Sequence, residues 1–438
     1  MNPNIQKLCH IAGKPKRLII GLMSGTSFDG LDIALCEFTG SGTATTLRLL
    51  QFVTKEYTPE FKEELKSVFA KESVSLEKVT LLNAWIGSYY ATLINDCLAQ
   101  WKLTANDIDL IASHGQSIFH APKHQRPPDQ YGNATLQIGD GDHLAVGTKI
   151  ITLSDFRQKH IAAGGEGAPL AVYGDNLLFS NSGENRILLN IGGIANFTWL
   201  PANASNTASE ANTANTTNTS GEPFSTDVGP GNTLMDQYVQ ATFPGQYYDK
   251  DSTLALQGTV SEPLLIALFD HPFFQATFPK TTGPELFNLT YLHNALERSH
   301  AAPEPSHAAP EPSHASPEPS HASLEPSGRS PLSPPDILAT LALFSARSII
   351  EAITSTIPAN TSFGIYTSGG GIYNRLLIRH LEDHFHKKLH PTSALGVNPD
   401  AKEAVLFALL ANEAVAGEKT TSSYIYPMVS MGKISFPD

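Results

Sequence analysis

The chain alternates short, almost wholly apolar runs with longer stretches whose apolar positions recur at helical spacing. Arg17–Leu22 and Leu31–Phe38 read as buried strands, separated by a Gly-rich turn at Gly25–Gly30. That turn is too short for a helical crossover, so the two strands are predicted to form an antiparallel hairpin. Val79–Leu103 carries the 3.6-residue periodicity of a long helix. Asp109–Ser113 reads as a buried strand ending at His114, and Thr148–Leu153 and Arg186–Ile191 as two more. Asp336–Ile357 opens with a Ser/Pro/Asp start signal and reads as a helix. Ser362–Thr367 is a strand running into Gly369–Gly371, and Asp400–Ala416 is a helix. Strands and helices alternate in both halves, so the predicted class is α/β.

Two segments break the pattern. Residues 202–222 contain Asn, Thr, Ser and Ala without a large apolar side chain, too little to offset the entropy of ordering. Residues 299–335 repeat a seven-residue HAAPEPS-like unit beginning at His300, His307, His314 and His321. The period is that of a coiled coil, but the prolines and missing apolar pair exclude one. A Pro-rich extended chain does not converge its histidines on a metal. Both segments are expected to be disordered surface inserts.

Composition narrows the function. The 438 residues hold 29 Lys and Arg against 42 Asp and Glu, a net charge of −13. Binding to nucleic acid or to an anionic membrane is therefore not expected. No apolar run approaches the roughly 18 residues of a bilayer-spanning helix; the longest candidate lies around Ile337–Ala346. Cys9, Cys36 and Cys97 are too scattered for a disulfide framework. The expectation is a cytoplasmic, multi-domain enzyme of small molecules.

The chemistry concentrates in Gly-rich strand exits. GLMSGTSFDG (Gly21–Gly30) offers hydroxyls at Ser24, Thr26 and Ser27, backbone N–H groups for an anion, and Asp29 for a magnesium ion. It is neither a Walker A loop nor a nucleophile elbow, and by itself an ordinary Gly/Ser turn fits it too. NIGGIANFT (Asn190–Thr198), DVGPGN (Asp227–Asn232) and TSGGGIYN (Thr367–Asn374) repeat the theme. Four such turns suggest loops converging on a polyanion at the carboxyl ends of strands.

In these words the chain resembles the anhydro-N-acetylmuramic acid kinases of the sugar kinase/actin-like ATPase superfamily. The resemblance runs in order through GLMSGTSFDGLDIAL, SHGQSIFHAP, TLQIGDGDHLA, DFRQKHIAAGGEGAPL, NIGGIANFT, DVGPGNTLMD, YYDKD, PKTTGPELFN, SGGGIYN and KEAVLFALLA, spanning about Ile19–Phe436. It implies a two-lobed actin-like (ribonuclease H-like) fold with an interlobe cleft. Residues 17–150 plus 391–438 would form lobe one, and 151–390 lobe two. It implies ATP and Mg²⁺, a small anhydro-sugar, and pairing of two chains as a homodimer. The reaction would open 1,6-anhydro-N-acetylmuramic acid with water and phosphorylate O6, in cell-wall sugar recycling.

By the same resemblance, ATP would lie on Gly25, Thr26, Ser27, Phe28, Asp29, Gly30, Leu31 and Asp32, with Gly192 and Gly193. Adenosine would lie beside Gly369, Gly370 and Gly371, and the metal near Asp29. Substrate contacts would come from His114, Gln116, Asn196, Asp227 and Asn232. Arg157 is a candidate charge clamp. The family's catalytic Asp stands here as His160, its Gln as Glu166, the Glu of a helix word as Leu343, and a Thr as Val228. The base is thus expected at His160 or Glu166, and Asp29 is the third candidate catalytic residue. Two alternatives stay open: a levoglucosan-type kinase, and a catalytically weakened nucleotide- or sugar-binding homologue.

Overall fold

The computed structural model describes residues 1–25, 28–123, 126, 129–168, 170–202, 222–301, 332–417 and 429–438. Thr26, Ser27 and nearly all of both low-complexity inserts lie outside the described residues. The first sheet begins with β1 (Lys16–Ser24), β2 (Gly30–Thr39) and β3 (Thr46–Glu56), followed by β4 (Leu110–Ala121), β5 (Ala134–Ile138) and β6 (Thr152–Ser154). The second sheet holds β7 (Arg186–Ile191), β8 (Ile194–Leu200), β9 (Phe224–Pro230), β10 (Gly364–Ser368) and β11 (His390–Pro391). The last strand, β12 (Lys433–Ser435), returns to the first sheet beside β6.

The two sheets repeat one plan. β1, β2 and β3 form an antiparallel meander, and β4 then β6 add in parallel on the far side of β1. β7, β8 and β9 form a second meander, and β10 then β11 add in parallel on the far side of β7. This duplicated order is the two-lobed α/β architecture expected from the sequence. The hairpin is there too, paired from Lys16↔Thr39 to Ser24↔Leu31.

Burial explains why β1 reads as a continuous apolar run. Ile20 and Leu22 pack with Ile86, Tyr90 and Ile94 of the helix Leu76–Trp101. Ile19 packs with Ala404 and Ala408 of the helix Lys402–Ala416 on the other face. A sheet covered on both faces has no polar side to show. At Gly21 a Cβ would come within 1.9 Å of the Ala404 carbonyl oxygen, so only glycine lets that helix approach. The same core takes in Leu188 and Leu200 of the second sheet and the helix Ala171–Phe179, which joins the two lobes.

Four expectations need correcting. β4 continues past His114 to Ala121, because Gly115, at φ +74°, turns the strand so that Gln116 pairs with Ile138. Residues Gly141–Thr148 are a helix capped by Asp140, which leaves only Thr152–Ser154 extended. β6 belongs to the first sheet, so the first lobe runs past residue 150, and β11 ends the second sheet at Pro391. Finally, the helix Pro334–Thr356 has 23 residues and a mean hydropathy of 1.6, enough by length and composition to cross a bilayer. Its most apolar window is 72% buried in the second lobe, which makes it a core helix. Ser333 and Asp336 close its start with a reciprocal capping box.

Candidate active site

The first wall is the turn after β1. Ser24 donates to Gln116 Oε1 at 2.5 Å, Tyr57 donates to Ser24 Oγ at 2.7 Å, and Gln116 Nε2 donates to the Gly25 carbonyl at 3.4 Å. Gln116 is fully buried. Its amide, expected to contact the sugar, here fixes the turn. Phe28, at φ +58°, sends its ring into the core against Phe69, and Leu31 is buried. These two can contribute only backbone. Asp29 is exposed at the tip. A Cβ at Gly30 would lie 2.5 Å from the Lys55 carbonyl oxygen. Asp32 accepts from Thr54 Oγ1 at 2.5 Å. Its pKa is pushed up to about 6 by burial, opposed by that bond and reinforced by Glu403, Asp400 and Asp29.

The second wall knits three of the Gly-rich words together. The Gly193 carbonyl accepts from the Gly231 and Thr233 N–H groups at 2.8 and 3.0 Å, and the Gly192 carbonyl from Asn232 N–H at 2.9 Å. Gly369, at φ +81°, crosses so close that a Cβ would stand 2.7 Å from Asn190 Oδ1, whereas Gly370 has open space around it. Asp236, in the first turn of the helix Thr233–Thr242, has its pKa raised to about 7, first by burial and then by Asp29 on the opposite wall. Asp29 of the first lobe and Asp236 of the second are therefore within electrostatic reach of each other. Tyr373, beyond the Gly-Gly-Gly turn, hydrogen bonds Asp400.

Asn190, Asn196 and Asp227 lie side by side across β7, β8 and β9, in the registers Asn190↔Asn196 and Asn196↔Asp227. Asp227 accepts from Thr282 N–H at 2.9 Å and donates its own N–H to the Lys280 carbonyl at 2.9 Å. Burial raises its pKa to about 7, with Glu285 adding to the effect. Lys280 in turn sits over the rings of Phe273 and Phe278, at 4.2 and 4.3 Å.

A third group lies between the walls. Arg157 Nε donates to His114 Nε2 at 2.9 Å, and its NH1 donates to the Gly167 carbonyl at 2.7 Å. A guanidinium only donates, so His114 Nε2 carries the lone pair and Nδ1–H donates to the Gly115 carbonyl at 3.0 Å. Both imidazole nitrogens are used, so His114, expected as a sugar donor, here holds Arg157 in place. Burial, then Arg157, holds its pKa well below the ordinary histidine value. Arg157 itself is lowered to about 10 by burial, opposed by Glu403.

His160 is fully buried, and its Nδ1 accepts the Gly167 N–H at 2.9 Å. A neutral imidazole has one acceptor nitrogen. With Nδ1 engaged, Nε2 bears the hydrogen and has no lone pair for a water proton. Burial, then Arg157, lowers its pKa to about 4, which keeps the ring neutral. In this arrangement His160, the expected base, holds the Gly165–Gly167 turn through Nδ1. A Cβ on Gly165 would reach within 2.3 Å of its ring. Glu166, at the middle of that turn, is half-buried.

Glu403 escaped the sequence reading, although it is the acidic residue opening the apolar run of KEAVLFALLA. Its side chain is exposed, at the start of the helix Lys402–Ala416. Loss of surrounding water raises its pKa, opposed by Lys402 and Arg157. Among the described residues no three His, Cys, Asp or Glu side chains form a ready-made metal cage. Asp29 and Asp236, which feel each other's charge, are carboxylates of the kind that can hold a magnesium ion taking its other ligands from water and phosphate.

The model of the family "Anhydro-N-acetylmuramic acid kinase" matches residues 17–422. A curated protein of that name from Pseudoalteromonas atlantica is 50% identical over the full length of both chains, and one from Pseudoalteromonas translucida is 46% identical over the same extent. One from Caldanaerobacter subterraneus is 33% identical over 98% of this chain and all of its own. Among solved structures, the 2-hydroxyisocaproyl-CoA dehydratase activator from Clostridium difficile is 9% identical with a TM-score of 0.39, over 91% of this chain and 96% of that one. That likeness is too distant to add to the topology. The full-length matches and the matching family model show that this chain is a phosphotransferase belonging to the anhydro-N-acetylmuramic acid kinase family.

Proposed function

We propose that the chain transfers the γ-phosphoryl group of ATP to O6 of 1,6-anhydro-N-acetylmuramic acid while water opens the anhydro bridge. The observation that supports it most is the electrostatic reach of Asp29, on the Gly-rich turn of one lobe, to Asp236 of the other, inside a chain of this family. The turns at Gly25–Asp32 and Gly192–Gly193 offer backbone N–H groups to phosphates, and the open space at Gly370 suits adenosine. Magnesium, when bound, would neutralise phosphate charge; Asp29 and Asp236 are the residues to hold it.

In this reading water attacks C1, the C1–O6 bond breaks, and O6 takes the phosphoryl group as ADP leaves. The water proton goes to a carboxylate. Glu403 and Glu166 are the candidates: Glu403 shares the field of Arg157, and Glu166 precedes the Gly167 carbonyl that Arg157 grips. Glu403 is the stronger base, because desolvation raises its pKa. Asn196, Asp227 and Asn232 would orient the sugar. Arg157, pinned by His114, supplies fixed positive charge where negative charge develops. Kinetics of Glu403→Gln and Glu166→Gln test the assignment: loss of turnover in the first and modest change in the second is expected, and the reverse order moves the base to Glu166.

A further inference from the structure

Away from the nucleotide and sugar turns, one buried ion pair ties the two lobes together. Asp175, in the helix Ala171–Phe179, is 2% exposed. Its Oδ1 lies 2.9 Å from Lys402 Nζ, and its Oδ2 accepts from Lys402 Nζ at 3.1 Å and from Thr198 Oγ1 at 2.7 Å. Thr198 is on β8 of the second lobe, two residues from Asn196 and on the same face. Lys402 opens the helix that packs on β1 of the first lobe and immediately precedes Glu403. Next to the pair, a Cβ on Gly174 would meet Leu406 at 2.4 Å, so the two joint helices touch here without a gap.

We propose that Asp175 is a positioning residue for the phosphoryl transfer: by sharing its carboxylate between Lys402 and Thr198 it fixes the Glu403 end of one wall against the Asn196 strand of the other. The assignment rests on the proposed function for its turnover readout only. A buried ion pair is a poor source of net stability, because desolvating both charges offsets most of their attraction. What it supplies is direction. Two hydrogen bonds and an ion pair on one carboxylate define a single arrangement of β8 against the Lys402–Ala416 helix, which apolar contact alone would leave free to slide. Nucleotide and sugar contacts come from both sides of that joint, so an error there reaches every contact at once. Residues of this kind change kcat and KM together while lying far from the chemistry.

Thr198 separates this role from a structural one. Thr198→Val keeps the side-chain volume but removes the hydrogen bond to Asp175. Thr198→Ser keeps the hydroxyl but removes a buried methyl group, which costs stability. A positioning role predicts that Thr198→Val loses about tenfold in kcat/KM while Thr198→Ser stays within about twofold, although both substitutions lower Tm. The dissociation constant of a non-hydrolysable ATP analogue with magnesium should follow the same order, and Asp175→Asn should weaken both readouts further. Should the parent fail to turn over the anhydro-sugar, the proposed function falls and the analogue's affinity alone still decides the joint. Equal affinity and turnover in the Val and Ser variants, or activity that follows Tm, would overturn the proposal.

Discussion

The Gly167 N–H reaches Nδ1 of His160 at 2.9 Å, and this contact assigns the proton of the neutral ring to Nε2. His160→Asn keeps an acceptor near the Nδ1 position, whereas His160→Leu leaves a buried N–H without one, at a cost of about 1–3 kcal/mol. The Leu variant should therefore melt lower and lose activity, and the Asn variant should recover much of both. Neither should move the acid limb of the kcat/KM profile. Disappearance of that limb in His160→Asn would show that the imidazole does titrate in the reaction.

The depressed pKa of His160 carries a stability signature of known sign. Between its unfolded value near 6.5 and its folded value of about 4, the unfolded chain binds more protons. Its contribution to stability is lost as pH falls through that window. Tm measured from pH 7 to pH 4 should fall less steeply in His160→Asn than in the parent. Parallel curves would contradict the buried, neutral ring.

Asp236 shows the opposite sign. Its pKa is raised to about 7 by burial and by Asp29, so its contribution is fully present below the unfolded value near 3.9 and lost as pH rises through about 7. Asp236→Asn should raise Tm at pH 8 more than at pH 5, and it should weaken magnesium-dependent binding of ATP, read by calorimetry. A uniform Tm change at both pH values would refute the reading of two carboxylates within electrostatic reach.

Asp29 is exposed, so its carboxylate contributes little to packing. Asp29→Ala should leave Tm nearly unchanged and lower kcat by at least tenfold, a loss above about 1.4 kcal/mol in the barrier. An unchanged kcat with Mg·ATP would remove Asp29 from the site.

The repeat insert invites a deletion. Ser299 is buried and donates to the Leu296 carbonyl at 2.7 Å, inside the helix Leu289–Ala301. The cut therefore belongs after that helix, at residues 302–331, with a short Gly/Ser connector. Turnover and Tm should stay close to the parent. A large fall in either would assign the repeat a role its composition does not suggest.

The fold was legible where the pattern is local. The tight Gly25–Gly30 turn forces a hairpin, and the runs at Arg186–Ile191 and Asp336–Ile357 match strand and helix nearly residue for residue. β4 was cut short because a glycine at φ +74° looks like a strand end when it is a bend within one. The glycine turns were legible as a group, and at Gly30, Gly231 and Gly369 a Cβ would come within 2.5, 2.3 and 2.7 Å of a neighbour. His114, Gln116 and His160 are polar residues in motif positions, and sequence cannot show that they bind Arg157, Ser24 and the Gly167 N–H. Glu403 was passed over because its importance lies in what faces it across the cleft, hundreds of residues away in the chain.

Sugar-dependent release of ADP tests the central claim most directly. The purified chain, Mg·ATP and 1,6-anhydro-N-acetylmuramic acid should give ADP and N-acetylmuramic acid 6-phosphate in equal amounts, with turnover lost in Glu403→Gln and kept in His160→Asn. No ADP above the sugar-free rate, or ADP release with levoglucosan but not with the muramic acid sugar, would contradict it.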